Sequence, residues 1–282
     1  MSLNSVNTNM GAMIALQSLN RTNEALEATQ KRISTGFRVA DAKDDGAVFA
    51  VAQAVRADVR ALTSANEQLG GVKGMLETTM SSLRNISETM TKMKEVLVKL
   101  ADSNVTGQTR TDYEQQYDAL RSSVQDFIND AGYNGKSLLK GTGTTANQWA
   151  TTLKVVRNQL GDQYAIGGYD ASVSIYNSMG AAPGNATAAA NALTAGSGFG
   201  KAFKRVGVQL NIYGSNFNAV SNQITFNKDK IDAINSGLGA LIDADLAKES
   251  ARLQSLQIRQ QLGAQSLGIA NQSPQILLSL FR

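Results

Sequence analysis

The sequence is poor in the residue types that carry chemistry. Its 282 residues include no histidine and no cysteine. Disulfides, thiol nucleophiles and imidazole general bases are therefore excluded, as are the usual ligands of zinc, copper and haem. Carboxylates remain the candidates for acid–base chemistry or metal binding, and two groups of aspartates are close enough together to consider.

The first group lies in a short polar segment. Arg38, Asp41, Asp44 and Asp45 lie within eight consecutive positions. They could form a carboxylate site, but an ion pair with Arg38 and a helix cap account for them without catalysis. We expect Asp44 or Asp45 to be the N-cap of the helix that follows.

The second group is the pair Asp243 and Asp245. Two aspartates at this spacing could begin a calcium-binding loop, but neither the glycine nor the bidentate glutamate of such a loop follows. Negative charge at a helix N-terminus is the better explanation. The glycine-rich pieces at 141–143 and 196–200 lack the context of a phosphate-binding loop. The sequence therefore predicts no catalytic residue, no metal site and no cofactor.

Composition narrows the class of protein. A hydrophobic fraction of 42% with 18% charged residues is typical of an ordered chain, and two prolines leave long stretches free to be helical. The net charge of +4 is not gathered into a basic block with aromatic residues, so nucleic-acid binding is not expected. No stretch of about 18 apolar residues indicates a membrane span. The polar start lacks the features of a secretory signal, which predicts a cytoplasmic protein or export by a route without a cleaved signal.

The C-terminal stretch 242–282 carries the strongest pattern. Its apolar residues recur on alternating steps of four and three, which predicts an amphipathic helix that needs a partner. Between Arg252 and Arg282 the only charged residue is Arg259, and Gln, Ser and Asn take the polar positions. If the helix stacks on copies of itself, a charge would recur beside its own image, whereas an amide both donates and accepts.

The N-terminal stretch 12–33 repeats the same apolar steps. We therefore predict that the two ends of the chain pair with each other and with neighbouring copies along an assembly seam. The predicted seam consists of Leu16, Leu19, Leu26, Ile33, Leu253, Leu256, Leu267, Leu277 and Phe281.

Long helices should occupy much of the remaining chain. The first helix is expected from about residue 6 to 33, with Gly36 as its left-handed cap. An almost unbroken apolar seam over 46–101 predicts a helix about 80 Å long at about 1.5 Å per residue. Thr111 and Glu114 form the pattern of a capping box for a further helix ending at Gly132. The fold class is thus mainly α: a long antiparallel helical rod and coiled-coil termini with a small β-hairpin region.

The central part of the chain changes character. Asn134-Gly135 predicts a tight turn, and alternation in 149–156 and 164–176 favours one or two antiparallel hairpins. Residues 177–200 are mostly small and polar, which predicts a surface loop or a poorly ordered insertion.

Five regions follow from these patterns, with a joint expected at Gly237 and Gly239. They are an N-terminal helix and connecting loop (1–45), rod helices (46–132), a β-hairpin and Gly/Ala/Thr-rich surface loop (133–200), a returning rod helix (201–240) and a C-terminal helix (241–282).

Both ends of the chain resemble bacterial flagellin. The N-terminal resemblance is carried by Val6-Asn-Thr-Asn9, Arg32-Ile-Ser-Thr-Gly-Phe-Arg-Val39 and Ala42-Lys-Asp-Asp45. The C-terminal one is carried by Ile242-Asp-Ala-Asp-Leu-Ala-Lys-Glu249, Gln257-Ile-Arg-Gln260 and Ala270-Asn-Gln-Ser-Pro-Gln275. The combination is specific because both signatures match in the right order at the chain ends.

The resemblance implies a function. Flagellins are exported unfolded by the flagellar type III apparatus, and their terminal helices form an inner coiled-coil layer of the extracellular filament on assembly. The interval between 132 and 201 is too short for the family's large outer domains, which implies a compact form. Implied partners are the chain itself, an export chaperone, filament cap and hook-junction proteins, and other flagellins. Neither nucleic acid nor membrane insertion is expected.

Two alternatives remain at this stage. A hook–filament junction protein shares the terminal pattern, although the last ten residues favour flagellin. An exported adhesin or cell-wall enzyme on a helical stalk is the other, and the missing histidine and cysteine count against an enzyme. The sequence thus predicts a structural, non-enzymatic subunit of a motility filament.

Overall fold

A computed structural model describes residues 9–140 and 152–280, with side chains as far as residue 272 in the last helix. The predicted mainly α fold with a small β region is confirmed. In chain order the elements are α1 (Met10–Thr35), α2 (Gly46–Leu100), α3 (Gly107–Asp130), β1 (Gly132–Tyr133), β2 (Lys136–Ser137), β3 (Thr152–Val156), β4 (Gln163–Gly167), a π-helical turn (Ser172–Tyr176), α4 (Asn177–Met179), α5 (Ala186–Ala192), α6 (Gly198–Ile242) and α7 (Leu246–Leu280).

The chain divides into two compact units. The first unit combines the two ends, Met1–Ala57 and Ala233–Arg282, and the second is the continuous segment Asp58–Asp232. Helices α2 and α6 each contribute to both units. The first unit therefore contains the whole of α1 and α7, which hold the predicted seam.

The second unit is built around a helical core from α2, α3 and α6. Asn227 Nδ2 donates to Asn66 Oδ1 over 2.9 Å, and Lys73 lies 5.1 Å from the centre of the Phe217 ring. Since these pairs run in opposite directions, α2 and α6 are antiparallel within this unit. Its fully buried side chains include Leu69, Leu76, Leu83, Ile86, Met90, Met93, Leu97, Tyr117, Ile128 and Tyr213. Burial of such apolar surface, at about 25 cal/mol per Å², is the main stabilising term.

Helix boundaries in the N-terminal half largely follow the predictions. Gly36 ends α1 at φ 72°, where its N–H donates to the carbonyl of Arg32. Asp45 Oδ1 accepts from the N–H groups of Ala47 and Val48, each at 3.1 Å, and so caps α2. Both predicted caps are confirmed.

The predicted capping box at Thr111 and Glu114 is wrong. Helix α3 begins a turn earlier at Gly107, and the Thr111 hydroxyl donates back to the Gly107 carbonyl over 3.3 Å. Glu114 instead pairs with Arg110 Nε at 3.0 Å. The same guanidinium donates to the Leu100 carbonyl at 3.2 Å, which holds the preceding turn in place.

Two short hairpins follow α3. Strands β1 and β2 are joined by Asn134 and Gly135, both at positive φ (49° and 74°), as the Asn-Gly pair predicted. Strands β3 and β4 pair antiparallel with Leu153 opposite Ile166. The part of the predicted hairpin around residue 149 lies outside the described residues.

The segment after β4 is helical, contrary to expectation. Residues 172–176, which alternate like a strand, form a π-helical turn that buries Ile175. The predicted loop at 177–200 contains α4, α5 and the start of α6, and Asn185 Oδ1 caps α5 by accepting from Ala188 N. Small residues permit this packing: a Cβ on Gly198 would overlap the carbonyl oxygen of Ser178. Their small side chains leave no apolar periodicity in the sequence.

The expected joint at Gly237 and Gly239 does not exist. Helix α6 continues through both glycines to Ile242, and Leu238 between them is buried. The chain turns at 243–245 instead, where Asp245 Oδ1 accepts from Lys248 N at 3.1 Å and caps α7. A helix-terminal role for Asp245 is thus confirmed.

Candidate functional site

The two terminal helices pack against each other in the first unit. Leu19 of α1 faces Gly263 of α7, and Asn9 Nδ2 donates to the Ala270 carbonyl over 2.7 Å. At the other end of the contact, Arg32 pairs with Glu249. The three contacts run in opposite directions along the helices, so the pair is antiparallel.

Most of the predicted seam that the structure describes lies in this contact. Leu26 and Leu256 are buried. Four further members are half-buried on the same helix faces: Leu19, Ile33, Leu253 and Leu267. The Leu277 side chain and Phe281 lie outside the described residues.

Leu16 is the most exposed of the predicted seam residues whose side chains the structure describes. Its side chain is 47% exposed. Each residue turns a helix by about 100°, which places Leu16 at the border of the face that carries Leu19 and Leu26. The step of three from Leu16 to Leu19 fits the apolar pattern, but it places Leu16 about 60° around the helix from Leu19.

Two side-chain pairs cross the helix contact, and we call them the polar pairs. Gln260 Nε2 donates to Asn23 Oδ1 at 2.9 Å, and Arg32 Nη1 donates to Glu249 Oε1 at 3.3 Å. Glu249 is 8% exposed, and its second carboxylate oxygen has no partner. Arg32 is therefore the group that compensates for burying this charge.

Helix α7 has a second apolar face that the sequence reasoning missed. Ala251, Ile258, Leu262 and Ile269 are exposed, the last three by 57%, 59% and 65%. At about 100° per residue they lie on the side of α7 opposite to the positions that face α1, and we call this side the outward face. Their spacing of seven, four and seven was a readable signal. It was obscured because the α1-facing residues form a second stripe.

Among the described residues, helix α1 carries an exposed apolar surface as well. An open groove of about 640 Å³ lies beside this helix. It is lined by Met10, Met13, Ile14, Leu16, Gln17, Asn20, Arg21 and Glu24. Met10, Met13 and Ile14 are 53%, 58% and 63% exposed, which is unusual for large apolar side chains unless a partner covers them.

The connection after α1 is held by an ion-pair cluster. Lys31 Nζ lies 2.6 Å from Asp41 Oδ2 and 3.0 Å from Asp44 Oδ2. Its hydrogen bonds lower the pKa of both carboxyl groups, and they raise the pKa of Lys31. The predicted pairing with Arg38 is wrong, because the Arg38 guanidinium donates to the Leu241 carbonyl. Asp41 and Asp44 also accept backbone N–H groups of the loop, so the cluster shapes a turn.

The same connection pairs with the end of α6. Phe37 and Asp243 form an antiparallel bridge, and Ala244 N donates to the Gly36 carbonyl at 2.9 Å. Beneath it lies a small apolar core in which Val39 and Ile242 are almost fully buried. This arrangement joins the end of α1 to the start of α7.

The described residues contain no group of three or more acidic side chains that could hold a metal. None of the helices among them is both long and apolar enough to cross a membrane. The distinctive feature of the first unit is instead a helix pair with apolar surface on both its inner and outer sides.

Family comparisons agree with this arrangement. The N-terminal helical region of bacterial flagellin matches residues 6–144, and the C-terminal helical region of bacterial flagellin matches residues 198–281. Flagellin FljM of Caulobacter vibrioides is 35% identical over 283 aligned positions, covering all of both chains. A flagellin of Brucella melitensis is 31% identical and covers 99% of each chain.

Solved structures show the same fold. A flagellar hook-associated protein from Vibrio parahaemolyticus superposes with a TM-score of 0.60 at 13% identity, covering 71% of this chain and 100% of that one. Bacillus cereus flagellin gives a TM-score of 0.50 at 17% identity, with 57% and 88% covered. With family matches at both ends and full-length relatives above 30% identity, the chain belongs to the bacterial flagellins and is a structural subunit of the flagellar filament.

Proposed function

We propose that the subunit polymerises through its two terminal helices. Each helix has one face that packs within the chain and one face that contacts neighbouring copies. Within one chain α1 and α7 pair along Leu19, Leu26 and Leu256. The outward face of α7 and the groove of α1 then contact neighbouring copies. The observation that carries this proposal is the exposure of three large aliphatic side chains in a row on α7: Ile258, Leu262 and Ile269.

The chemistry of α7 suits contact with identical helices. From Leu253 to Ala270 its only charged residue is Arg259. A helix in a symmetric polymer meets the same residues on its neighbours, so like charges would repel while amides can pair. Burying the outward face would remove three aliphatic side chains from water, and each is worth about 1.5–3 kcal/mol when fully buried.

The groove of α1 offers a complementary surface. Its lining includes four large apolar side chains, Met10, Met13, Ile14 and Leu16, and methionine adapts to irregular neighbours. We propose that α7 of another copy occupies it. Contacts of this kind are heterologous, and when their rotation does not close they generate an open helical filament.

We also propose the cellular setting that family membership suggests. The chain would be exported by the flagellar type III apparatus and would reside in the extracellular filament. Its partners would be an export chaperone, the filament cap, hook-junction proteins and other flagellins. The apolar outward face of α7 supports a chaperone, because such a surface needs cover before assembly. No catalytic role is proposed.

Polymerisation can be tested at Leu262 without disturbing the contact inside the chain. Leu262→Asn makes the outward face polar, whereas the control Leu262→Met keeps it apolar at similar volume. Filament seeds or a kosmotropic salt, which strengthens apolar burial, should yield pelletable polymer from the parent and from Leu262→Met. Leu262→Asn should reduce pelleting at least tenfold with unchanged unfolding of the second unit. Parent-level polymer from Leu262→Asn would contradict the proposal.

A hook–filament junction protein is the second candidate, because the flagellar hook-associated protein of Vibrio parahaemolyticus has the same fold over 71% of this chain. The two functions differ in the extent of growth. A filament subunit extends seeds in proportion to the protein added, which electron microscopy measures as tube length. Addition that stops after one layer would favour the junction protein.

A further inference from the structure

Helix α7 has two apolar faces, and either of them could pack against α1. One face carries Leu253, Leu256 and Leu267, and the other carries Ile258, Leu262 and Ile269. Each face offers three large aliphatic side chains, and the hydrophobic effect that would bury them is non-directional. Something other than hydrophobicity must decide which face turns toward α1 and which remains for other copies.

The two faces differ in their polar residues. Glu249 and Gln260 lie on the α1-facing side of α7. There they accept from Arg32 and donate to Asn23 of α1, respectively. If α7 rotated to bring Leu262 toward α1, both polar pairs would break. Asn23 would then meet aliphatic side chains at the contact, and its amide would lose a hydrogen-bond partner.

The faces also differ in shape. At the level of Leu19 the α1-facing side has Gly263, and a Cβ at that position would already lie 3.2 Å from Leu19 Cδ1. The outward face has the bulky Leu262 in the neighbouring position. The gap at Gly263 therefore also favours the observed face, and Leu19→Cys removes this steric preference.

We propose that the polar pairs Asn23–Gln260 and Arg32–Glu249 determine which face of α7 packs against α1, and thereby reserve the outward face for neighbouring copies. These are specificity residues: they select one pairing among several with similar apolar burial, as buried polar residues do in coiled coils. The inference rests on the proposed function for the use of the outward face, but not for the pairing itself.

The same pairs oppose a slip along the helices. A shift by one heptad, about seven residues, would still give Leu19 an apolar neighbour, Leu256 or Ala270. It would also place Asn23 opposite Leu253 or Leu267. The apolar residues tolerate the slip and the polar pairs do not.

Because the chain contains no cysteine, engineered disulfides can report which face of α7 packs against α1. The Cβ atoms of residue 19 and a substituted Gly263 would lie 3.9 Å apart, within the range of a disulfide. Leu19→Cys with Gly263→Cys therefore reports the observed face, and Leu19→Cys with Leu262→Cys reports the opposite one. Intrachain bridges are separated from bridges between copies by their mobility on a non-reducing gel.

With the polar pairs present, we expect the 19–263 bridge to form at least tenfold faster than the 19–262 bridge in the full chain under kosmotropic salt. Replacing all four residues, Asn23, Gln260, Arg32 and Glu249, by Leu should keep the helices paired while bringing the two rates within about twofold. Arg32→Glu alone should slow the 19–263 bridge, and adding Glu249→Arg should restore it. This rescue separates a specific pairing from a general loss of structure.

Equal preference for the 19–263 bridge with and without the polar pairs would overturn the inference, as would failure of both bridges when the pairs are intact. Pelleting of polymer is an independent readout. A chain that forms the 19–263 bridge but never polymerises would refute the proposed function and leave the face selection standing.

Discussion

Leu19 packs directly on Gly263, with its Cδ1 atom 3.2 Å from where a Cβ of residue 263 would lie. A larger residue at 263 must push α1 away from α7, and overpacking of this kind costs about 1–3 kcal/mol. We therefore expect Gly263→Leu to lower the melting temperature of the first unit and to reduce polymer yield.

Gly268 provides a matched control on the same helix, because a Cβ there would meet nothing within 4 Å. Gly268→Leu should stabilise the helix by up to about 1 kcal/mol through propensity alone. Thermal unfolding followed by circular dichroism compares the two variants. Equal stability of Gly263→Leu and Gly268→Leu would argue against close packing at Leu19.

The cap of α2 should be measurable by a single substitution. Asp45 Oδ1 accepts from two backbone N–H groups at the start of the helix, those of Ala47 and Val48. Asp45→Ala should lower the free energy of unfolding by about 1 kcal/mol, whereas Asp45→Ser should retain most of it. Urea titration of both variants checks this, and an unaffected Asp45→Ala midpoint would contradict the cap.

The cluster of Lys31, Asp41 and Asp44 predicts how stability changes with pH. Hydrogen bonds from Lys31 lower the pKa of both aspartates, so their contribution is complete above the ordinary value of 3.8 and is lost as the pH falls through the lowered pKa. The pKa of Lys31 is raised, so its contribution is complete below 10.5 and disappears as the pH rises through the raised pKa.

Lys31→Met should therefore make stability depend less on pH in the acid range. It should also remove the part of the stability loss at alkaline pH that deprotonation of Lys31 causes. Unfolding midpoints across the pH range measure both, and Lys43→Met serves as a control for removing one positive charge nearby. Because the three side chains are exposed to water, about 1 M salt should shrink the difference between parent and Lys31→Met. A difference that is independent of salt would point to another cause.

Tyr213 should stabilise the second unit through its hydroxyl. The group is buried and lies 3.3 Å from the carbonyl oxygens of both Leu138 and Gly167, linking α6 to the two hairpins. Burial raises the pKa of this phenol above its ordinary value, so it stays protonated in alkaline solutions that would ionise an exposed tyrosine. Tyr213→Phe should cost about 0.5–1.5 kcal/mol by removing the hydrogen bond that this hydroxyl donates to one of the two carbonyls. Tyr133→Phe, at a side chain that is 39% exposed, should cost much less in the same denaturation experiment.

Local signals in the sequence were enough for several elements. Gly36, Asp45 and Asn134-Gly135 each satisfy a backbone requirement within a few residues, so their caps and turn followed from sequence. The capping box at Thr111 failed because Arg110 contacts carbonyls of the preceding turn, and such a contact depends on folding. The helices between 177 and 200 were missed because small residues leave no periodicity.

By itself, the sequence determined the long helices, the apolar stripe at each terminus, the family resemblance and the absence of histidine and cysteine. These depend on residue type and on spacing along a helix, which are local properties. Only the tertiary structure decided that α7 leaves a second apolar face exposed, that Leu16 is exposed, and that Lys31 rather than Arg38 holds the aspartates. Each of these depends on which residue stands opposite another across two helices or a turn, and periodicity along one segment does not contain that information.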